Sequence, residues 1–201
     1  MLTKDSDSLA MDSRNTHLTL ALVEQRLRGR SPVRIEPVPG LTRAAVLLLL
    51  RDALDGVEVL LTMRGHAVRD HKGEVSLPGG AMEVGDMDEF ATALREAQEE
   101  VGLNPEMVRV LGRLDDYVTV TGYHVAPVVA AGAFDGLSPR TAEIVEVFPF
   151  PLAFMLDPAH VERIPGARFG RTDDILMVRF GARLVWGATA RILFNLLEIC
   201  T

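Results

Sequence analysis

The sequence has almost no cysteine. Cys200 is the only one among 201 residues, which excludes a disulfide framework, a CxxC redox pair and a thiolate metal cluster. Proteins without disulfides are typical of reducing compartments. We therefore expect a cytoplasmic protein.

Long apolar runs are also missing. The longest are AAVLLLL at 44–50 and ILFNLL at 192–197, well short of the roughly 20 apolar residues that span a bilayer. The opening residues MLTKDSDSLAMDS lack the basic start and apolar stretch of a secretory signal. We expect a soluble protein without a membrane partner, whose first residues are loose in solution.

Basic residues are outnumbered by acidic ones. The chain has 21 Lys and Arg against 28 Asp and Glu, a formal net charge of −7. This balance gives no overall attraction for the phosphates of nucleic acid, so we expect no nucleic-acid partner. An anionic ligand would need a local basic patch or a metal ion.

Apolar residues make up 48% of the chain, which is enough for one substantial core. Residues 15–28 carry apolar side chains at helical spacing, and the Pro-rich stretch 32–39 interrupts that pattern. We expect an N-terminal arm at 1–35, partly disordered with a short helix, followed by one domain at 36–201.

The remaining chain mixes strand-like and helical patterns. Apolar runs at 44–50 and 57–61 flank the turn-like RDALDG and predict two strands, while the valine-rich segment 107–134 predicts two or three more. The segment EIVEVFPFPL at 143–152 is ambiguous. A closing helix at 186–199 has an apolar stripe of Ala188, Ile192, Leu196 and Ile199. Strands on both sides of a central helix favour an α/β (α+β) fold, a mixed sheet covered by helices.

That central helix lies in LPGGAMEVGDMDEFATALREAQEEVGL, at 77–103. A helix at 88–101 places one apolar stripe against the core, made of Phe90, Leu94, Ala97 and Val101. It also brings together the carboxylates of Glu96, Glu99 and Glu100, which are three and four residues apart. Like charges at i,i+4 cost roughly 0.2–0.5 kcal/mol per pair. A bound Mg²⁺ or Mn²⁺ would remove that cost, because both ions prefer hard oxygen donors.

The helix by itself also fits a solvated acidic surface, and its context favours a site. Pro78-Gly79-Gly80 supplies backbone that can approach a ligand closely, and Gly102 is a typical helix stop. Arg95, four residues before Glu99, is either an ordinary surface ion pair or a group that orients the carboxylates through Glu83 or Asp86.

This stretch resembles the Nudix box, in which fixed glycines and acidic residues surround an Arg-Glu pair and a Glu-Glu pair. The matching residues are Gly80, Asp86, Arg95, Glu96, Glu99, Glu100 and Gly102. Asp86 replaces the usual Glu, and eight residues rather than seven separate it from Arg95.

The preceding segment LLTMRGHAVRDHKGEVSLPGG, at 60–80, resembles the motif that stands before the box in coenzyme A diphosphatases. The matching residues are Leu60, Leu61, Thr62, Arg64, Arg69, Gly73, Pro78, Gly79 and Gly80. Gly65 replaces the usual Ser or Ala, and Leu77 the usual Phe. Together with Lys72 the segment is locally basic, as contact with a diphosphate and a 3′-phosphate would require. The likeness extends over roughly residues 40–200.

The resemblance implies a Nudix fold, an α/β/α sandwich with a mixed sheet between helices. It also implies metal-dependent hydrolysis of coenzyme A to 3′,5′-ADP and 4′-phosphopantetheine. Mg²⁺ or Mn²⁺ would be held by Glu96, Glu99 and Glu100. Contacts to the substrate would come from Arg64, Arg69, Lys72, Gly73, Gly79 and Gly80.

The resemblance leaves the general base open. Glu99 and Glu143 are both candidates, and we place Glu99 first. Arg95 would orient the carboxylates. His124 is interpreted as a structural residue, because it stands alone between apolar neighbours.

Other functions fit the same box. The substrate could be NADH, ADP-ribose, a dinucleoside polyphosphate or an oxidised nucleotide, and a non-catalytic nucleotide-binding regulator is a further alternative. The intact Glu96, Glu99 and Glu100 disfavour the regulator. The sequence leaves the oligomeric state open, a homodimer included.

Overall fold

The structure is a computed structural model and describes residues 18–65, 73–169 and 174–201. Three α-helices lie in these ranges: α1 (Leu20–Arg28), α2 (Glu89–Val101) and α3 (Gly187–Cys200). The strands are β1 (Thr42–Ala53), β2 (Gly56–Arg64), β3 (Val75–Ser76), β4 (Gly79–Ala81), β5 (Arg109–Arg113), β6 (Tyr117–Val118), β7 (Tyr123–Ala131), β8 (Ile144–Pro151), β9 (Val161–Ile164), β10 (Ile175–Phe180) and β11 (Arg183–Trp186). No helix in the described ranges has the length and apolar character needed to cross a membrane.

Strands β1 to β8 form one mixed sheet with β1 near its centre. β1 runs parallel to β7 and antiparallel to β2 and β4, and the main strand order is β3-β2-β1-β7-β5. Among the described strands, β8 pairs with β2 alone, and its two prolines are tolerated in this edge position. Strands β9, β10 and β11 form a separate antiparallel sheet.

The two faces of β1 pack against different helices. Leu47 and Leu49 lie in one apolar cluster with Ala97 of α2. The alternate residue Leu48 lies in a second cluster with Val23 of α1 and with α3 residues. Because successive side chains of a strand point to opposite faces, this alternation places helices on both sides of the sheet and confirms the predicted α/β/α sandwich.

A gap in the sheet positions the diglycine. β1 and β2 pair only between residues 50–53 and 56–59, and then diverge. The segment containing β3 and β4 lies between them: β3 pairs with β2, and β4 pairs with β1. Leu47 donates its backbone N–H to the carbonyl oxygen of Pro78 at 2.8 Å, which fixes the segment in the gap. Gly79 and Gly80 therefore lie at the middle of the sheet.

The predicted elements are largely confirmed. The N-terminal helix begins at Leu20 after the N-cap Thr19, and the segment 107–134 forms three strands. The ambiguous segment 143–152 is mostly the strand β8. In α3, Ile192 and Leu196 are buried as predicted, whereas the other two stripe residues are half-buried.

The arm and the domain are in contact. Val23 and Leu27 of α1 are buried in the cluster that also contains α3. The backbone N–H of Val33 donates to the Asp115 carboxylate at 2.7 Å. The division at residue 35 stays a prediction, and the opening residues 1–13 lie outside the described residues.

Candidate active site

The diglycine lets the carboxylates of α2 pack directly on the sheet. The Gly79 N–H donates to Oε2 of Glu100 at 3.1 Å. A Cβ on Gly79 would lie 2.4 Å from the carbonyl oxygen of Ala45, and a Cβ on Gly80 would lie 2.5 Å from the carboxylate carbon of Glu96. Glycine is therefore the residue that fits both positions.

Helix α2 is held as the sequence predicts. It begins after the N-cap Asp88, whose side chain accepts from the Ala91 N–H, and it ends at Gly102 in the left-handed conformation at φ 75°. The predicted apolar stripe faces the core, since Ala97 and Val101 are fully buried and its other two residues pack against the same cluster.

Arg95 is fixed by the loop before α2. Its Nε and Nη2 each lie 3.0 Å from a different oxygen of Asp86, and Nη2 also donates to the carbonyl of Ala81. Asp86 also accepts from the Thr92 hydroxyl. The hydrogen bond from Arg95 lowers the pKa of Asp86 to about 2, aided by the N–H of Glu83. The shorter acid and the longer spacing in this box thus preserve the contact with Arg95.

Arg95 reaches toward the glutamates of α2 as well. Its Nη1 lies 2.9 Å from Oε1 of Glu96 and 3.5 Å from Oε1 of Glu99, whereas Glu83 is 3.9 Å away. Of the two loop acids through which Arg95 is predicted to orient the carboxylates, Asp86 makes the close contact.

The pKa values of Glu96 and Glu100 are both raised above that of an ordinary glutamate. Burial is the main cause that raises the pKa of Glu100 to about 7, and the neighbouring Glu96 and Glu143 raise it further against the opposing Gly79 hydrogen bond. Burial likewise raises the pKa of Glu96, although Arg95 partly opposes the effect. A cation between the two carboxylates would offset this cost.

Glu99 is placed differently from its two neighbours. Its side chain is 58% exposed, compared with 17% for Glu96, and its carboxylate lies near Arg95. Within the ranges that the structure describes, no three His, Cys, Asp or Glu side chains converge into a complete metal cage. Mg²⁺ is typically held by one or two carboxylates together with substrate phosphates and water. The oxygen donors of Glu96 and Glu100 fit that type of ion.

Arg64 and Glu143 lie near Glu100, and with Glu96 and Glu100 they form what we call the acidic site. Arg64 ends β2, and its Nη2 lies 2.5 Å from Oε2 of Glu143. The Gly65 N–H donates to the Glu143 carbonyl oxygen at 2.7 Å, which holds the two chain segments together. The charges of Arg64 and Glu143 both act on the pKa of Glu100. Within the described part of the chain, the buried Nε of Arg64 has no hydrogen-bond partner.

The basic segment after Arg64 is only partly described. Arg64 donates its backbone N–H to the Glu74 carbonyl, and its own carbonyl accepts from the Gly73 N–H, so the two ends of this segment are held together. Gly73 has φ 69°, a conformation that suits glycine. The proposed ligand-binding residues Arg69 and Lys72 lie outside the described residues.

An apolar cleft of about 770 Å³ extends from Arg64. Its lining includes Val75 of β3, Met177 of β10 and Trp186 of β11. Sequence reasoning missed this cleft, because its residues come from distant segments without a charged motif. The one available signal was the run of apolar residues at 175–178 and 184–186.

His124 has structural contacts, in agreement with its interpretation from the sequence. Its Nε2 lies 2.9 Å from Oδ2 of Asp116, which also pairs with the buried Arg113. Arg113 pairs in turn with Glu89 of α2 at 2.5 Å. Burial and the charges of Arg43 and Arg113 lower the pKa of His124. The imidazole therefore helps to connect β7, the β5–β6 region and α2.

Comparison with known proteins agrees with the fold and the box. The family model of the NUDIX domain matches residues 41–177. A protein of Pectobacterium atrosepticum called "Uncharacterized Nudix hydrolase NudL" is 36% identical over 177 residues, covering 85% of this chain and 89% of its own. The protein of the same name from Salmonella paratyphi B is 39% identical over 158 residues, covering 77% and 80%. The chain belongs to the Nudix family and is a Nudix hydrolase.

Two solved structures also match the chain. The crystal structure of a C. elegans Ap4A hydrolase binary complex has a TM-score of 0.47 and 22% identity, covering 59% of this chain and 86% of that chain. The NUDIX domain of Shewanella oneidensis NrtR complexed with ADP ribose has a TM-score of 0.46 and 20% identity, covering 69% and 87%.

Proposed function

We propose that this Nudix hydrolase cleaves the diphosphate bond of coenzyme A or its derivatives, giving 3′,5′-ADP and (acyl-)4′-phosphopantetheine. The position of Arg64 is the observation that carries the proposal. This residue lies between the acidic site of Glu100 and Glu143 and the apolar cleft. A diphosphate with a long, flexible, uncharged arm on one side matches that succession of surfaces. The resemblance of residues 60–80 to coenzyme A diphosphatases supports the same substrate.

Arg64 is the proposed contact for the diphosphate. Its buried Nε has no hydrogen-bond partner among the described residues and is a donor available to a phosphate oxygen. Gly79 and Gly80 contribute indirectly, because the absence of a Cβ lets the Glu96 and Glu100 carboxylates lie against this strand.

A Mg²⁺ or Mn²⁺ ion is part of the proposal. Glu96 and Glu100 would hold it, with Glu99 nearby, and Arg95 would keep the Glu96 carboxylate in place through its 2.9 Å contact. The ion would supply neutralisation of the diphosphate oxygens and activation of water.

The contacts favour Glu143 over Glu99 as the general base. Glu143 pairs with Arg64 and its charge acts on Glu100, whereas Glu99 is exposed and lies beside Arg95. A phosphate that takes over Arg64 would leave the Glu143 carboxylate free to accept a proton from water. This assignment reverses the order inferred from the sequence.

Replacing the base should mainly affect turnover. We expect Glu143→Gln to lower kcat about 10²–10⁴-fold with a small change in KM, because general-base catalysis typically contributes that factor. Glu146→Gln is the matched control, since Glu146 lies three residues further along and pairs with Arg183. Steady-state kinetics of both variants and of Glu99→Gln make the comparison. A larger loss in Glu99→Gln than in Glu143→Gln would return the base role to Glu99.

The substrate is tested by a direct comparison of rates. Coenzyme A, NADH, ADP-ribose and a diadenosine polyphosphate are supplied at equal concentration with Mg²⁺, and products are separated by chromatography. We expect coenzyme A to give the highest kcat/KM, with 3′,5′-ADP among the products. A higher value for another compound would refute the coenzyme A assignment, and no hydrolysis of any compound would favour a regulator.

A further inference from the structure

We propose that the cleft binds the acyl chain of an acyl thioester of coenzyme A, so that the enzyme selects medium- and long-chain acyl derivatives over free coenzyme A. This inference rests on the proposed function and concerns the part of the substrate that is remote from the diphosphate. It assigns the selection among substrates to side chains of the β10–β11 hairpin.

Both faces of the β10–β11 hairpin carry apolar side chains, and Arg179, paired with Leu184, is the exposed charged residue on the cleft face. Leu176, Val178 and Val185 point into the core and are at most 1% exposed. The alternating positions Met177 and Trp186 line the cleft, as do Ile175 and Leu184. A strand pair with one face open to solvent normally carries polar residues on that face. The four apolar side chains facing the cleft therefore indicate an apolar ligand.

The register brings these side chains together. Met177 is paired directly with Trp186 across the two antiparallel strands. Ile175 and Leu184 follow two residues away on the same faces of their strands. Trp186 remains 40% exposed, and Val120, which also lines the cleft, is 79% exposed. A ligand in the cleft would remove apolar surface of both side chains from water.

The cleft is continuous with the diphosphate site. Its floor includes Val75 and Ser76 of β3, immediately before the glycine strand. The hydroxyl of Thr189 in α3 donates to the carbonyl of Val75 at 3.2 Å and fixes the floor against the helix. Arg64 lies at the same cleft. A substrate held by its diphosphate at Arg64 can extend its arm along this floor.

The cleft offers more apolar surface than the pantetheine arm of the substrate alone would match. Its volume of about 770 Å³ lies in the range that accommodates a drug-sized ligand. The pantetheine arm contains two amide groups and would leave the apolar hairpin face largely unmatched. An aliphatic chain on the terminal sulfur extends the substrate with methylene groups, which match the side chains of Met177 and Leu184.

The test is a chain-length series. Values of kcat/KM are measured for coenzyme A and for its acetyl, hexanoyl and dodecanoyl thioesters, below the concentrations at which the long chains form micelles. Each methylene that becomes fully buried can contribute up to about fourfold. We expect the dodecanoyl compound to exceed the acetyl compound at least tenfold.

Variants connect the effect to the hairpin. We expect Met177→Gln and, separately, Leu184→Gln to reduce the dodecanoyl-to-acetyl ratio at least fivefold. Met107→Gln is the matched control, because Met107 is 75% exposed in a different part of the molecule and should leave the ratio unchanged. Thermal unfolding identifies any variant that is not folded, and the ratio in the remaining one decides.

The outcomes separate this inference from the proposed function. A flat series on an enzyme that hydrolyses coenzyme A would overturn the acyl-chain inference and leave the function standing. An unchanged ratio in both folded hairpin variants would overturn it as well. Failure to hydrolyse any coenzyme A compound, with turnover of ADP-ribose or NADH, would refute the proposed function and this inference together.

Discussion

Glu100→Gln is expected to abolish hydrolysis and at the same time to stabilise the metal-free protein. The glutamine keeps the size of the side chain and can still accept the Gly79 hydrogen bond at 3.1 Å. It removes one of the two half-buried carboxylates that we propose as ligands for the metal ion. We expect kcat to fall at least 10³-fold, measured with coenzyme A and Mg²⁺.

The stability effect follows from the raised pKa of Glu100, which is about 7 in the folded protein against 4.5 for an ordinary glutamate. Because the folded state holds the proton more tightly, the stabilisation is present below pH 4.5 and is lost as the pH rises through 7. The ionised carboxylate thus costs up to about 3 kcal/mol at pH 8. Glu100→Gln should recover much of this energy.

Denaturant unfolding at pH 5 and pH 8 without metal measures both effects. The wild-type free energy of unfolding should fall between these pH values more than that of Glu100→Gln, and Mg²⁺ should restore stability at pH 8 only in the wild type. Glu106→Gln is a suitable control, since Glu106 lies on an exposed turn after α2. A variant that is less stable than wild type at pH 8, or that retains turnover, would contradict the placement of Glu100.

Gly80→Ala is expected to inactivate the enzyme by moving Glu96. The added Cβ would lie 2.5 Å from the Glu96 carboxylate, so the side chain has to turn away from the strand. A displacement of about 1 Å at a reacting centre can cost about 10²-fold. We expect kcat/KM to fall at least 10²-fold while the circular dichroism spectrum stays unchanged.

Gly85→Ala is the matched control for this substitution. Gly85 lies in the loop that follows β4, and a Cβ there has no atom within 4 Å. Its kinetics should stay within a factor of two of the wild type. Equal activity in Gly80→Ala and Gly85→Ala would show that the position of Glu96 is not critical.

The local features of the site could be predicted from the sequence. Helical periodicity placed α2 and its core-facing stripe, and the three- and four-residue spacings placed Glu96, Glu99 and Glu100 near one another. The contact of Arg95 with Asp86 was predictable too, because both lie within ten residues of each other in one motif. Short-range patterns suffice where the contacting groups belong to one helix and its adjoining loop.

The long-range features could not be predicted. The divergence of β1 and β2 depends on which strands pair, and this divergence decides that Gly79 contacts Glu100. The pair of Arg64 and Glu143 joins residues 79 positions apart. Periodicity also treats the three glutamates as equivalent, whereas burial separates Glu96 and Glu100 from the exposed Glu99.

Binding of Mn²⁺, measured by electron paramagnetic resonance, tests most directly the claim that the half-buried carboxylates of Glu96 and Glu100 in α2 hold a divalent ion. The wild type, Glu100→Gln and the control Gly85→Ala are titrated with Mn²⁺, each with and without a diphosphate compound. We predict tight binding by the wild type and Gly85→Ala that becomes stronger with the diphosphate, and binding at least tenfold weaker in Glu100→Gln. Equal binding by all three proteins, or no binding by the wild type with the diphosphate present, would contradict the account.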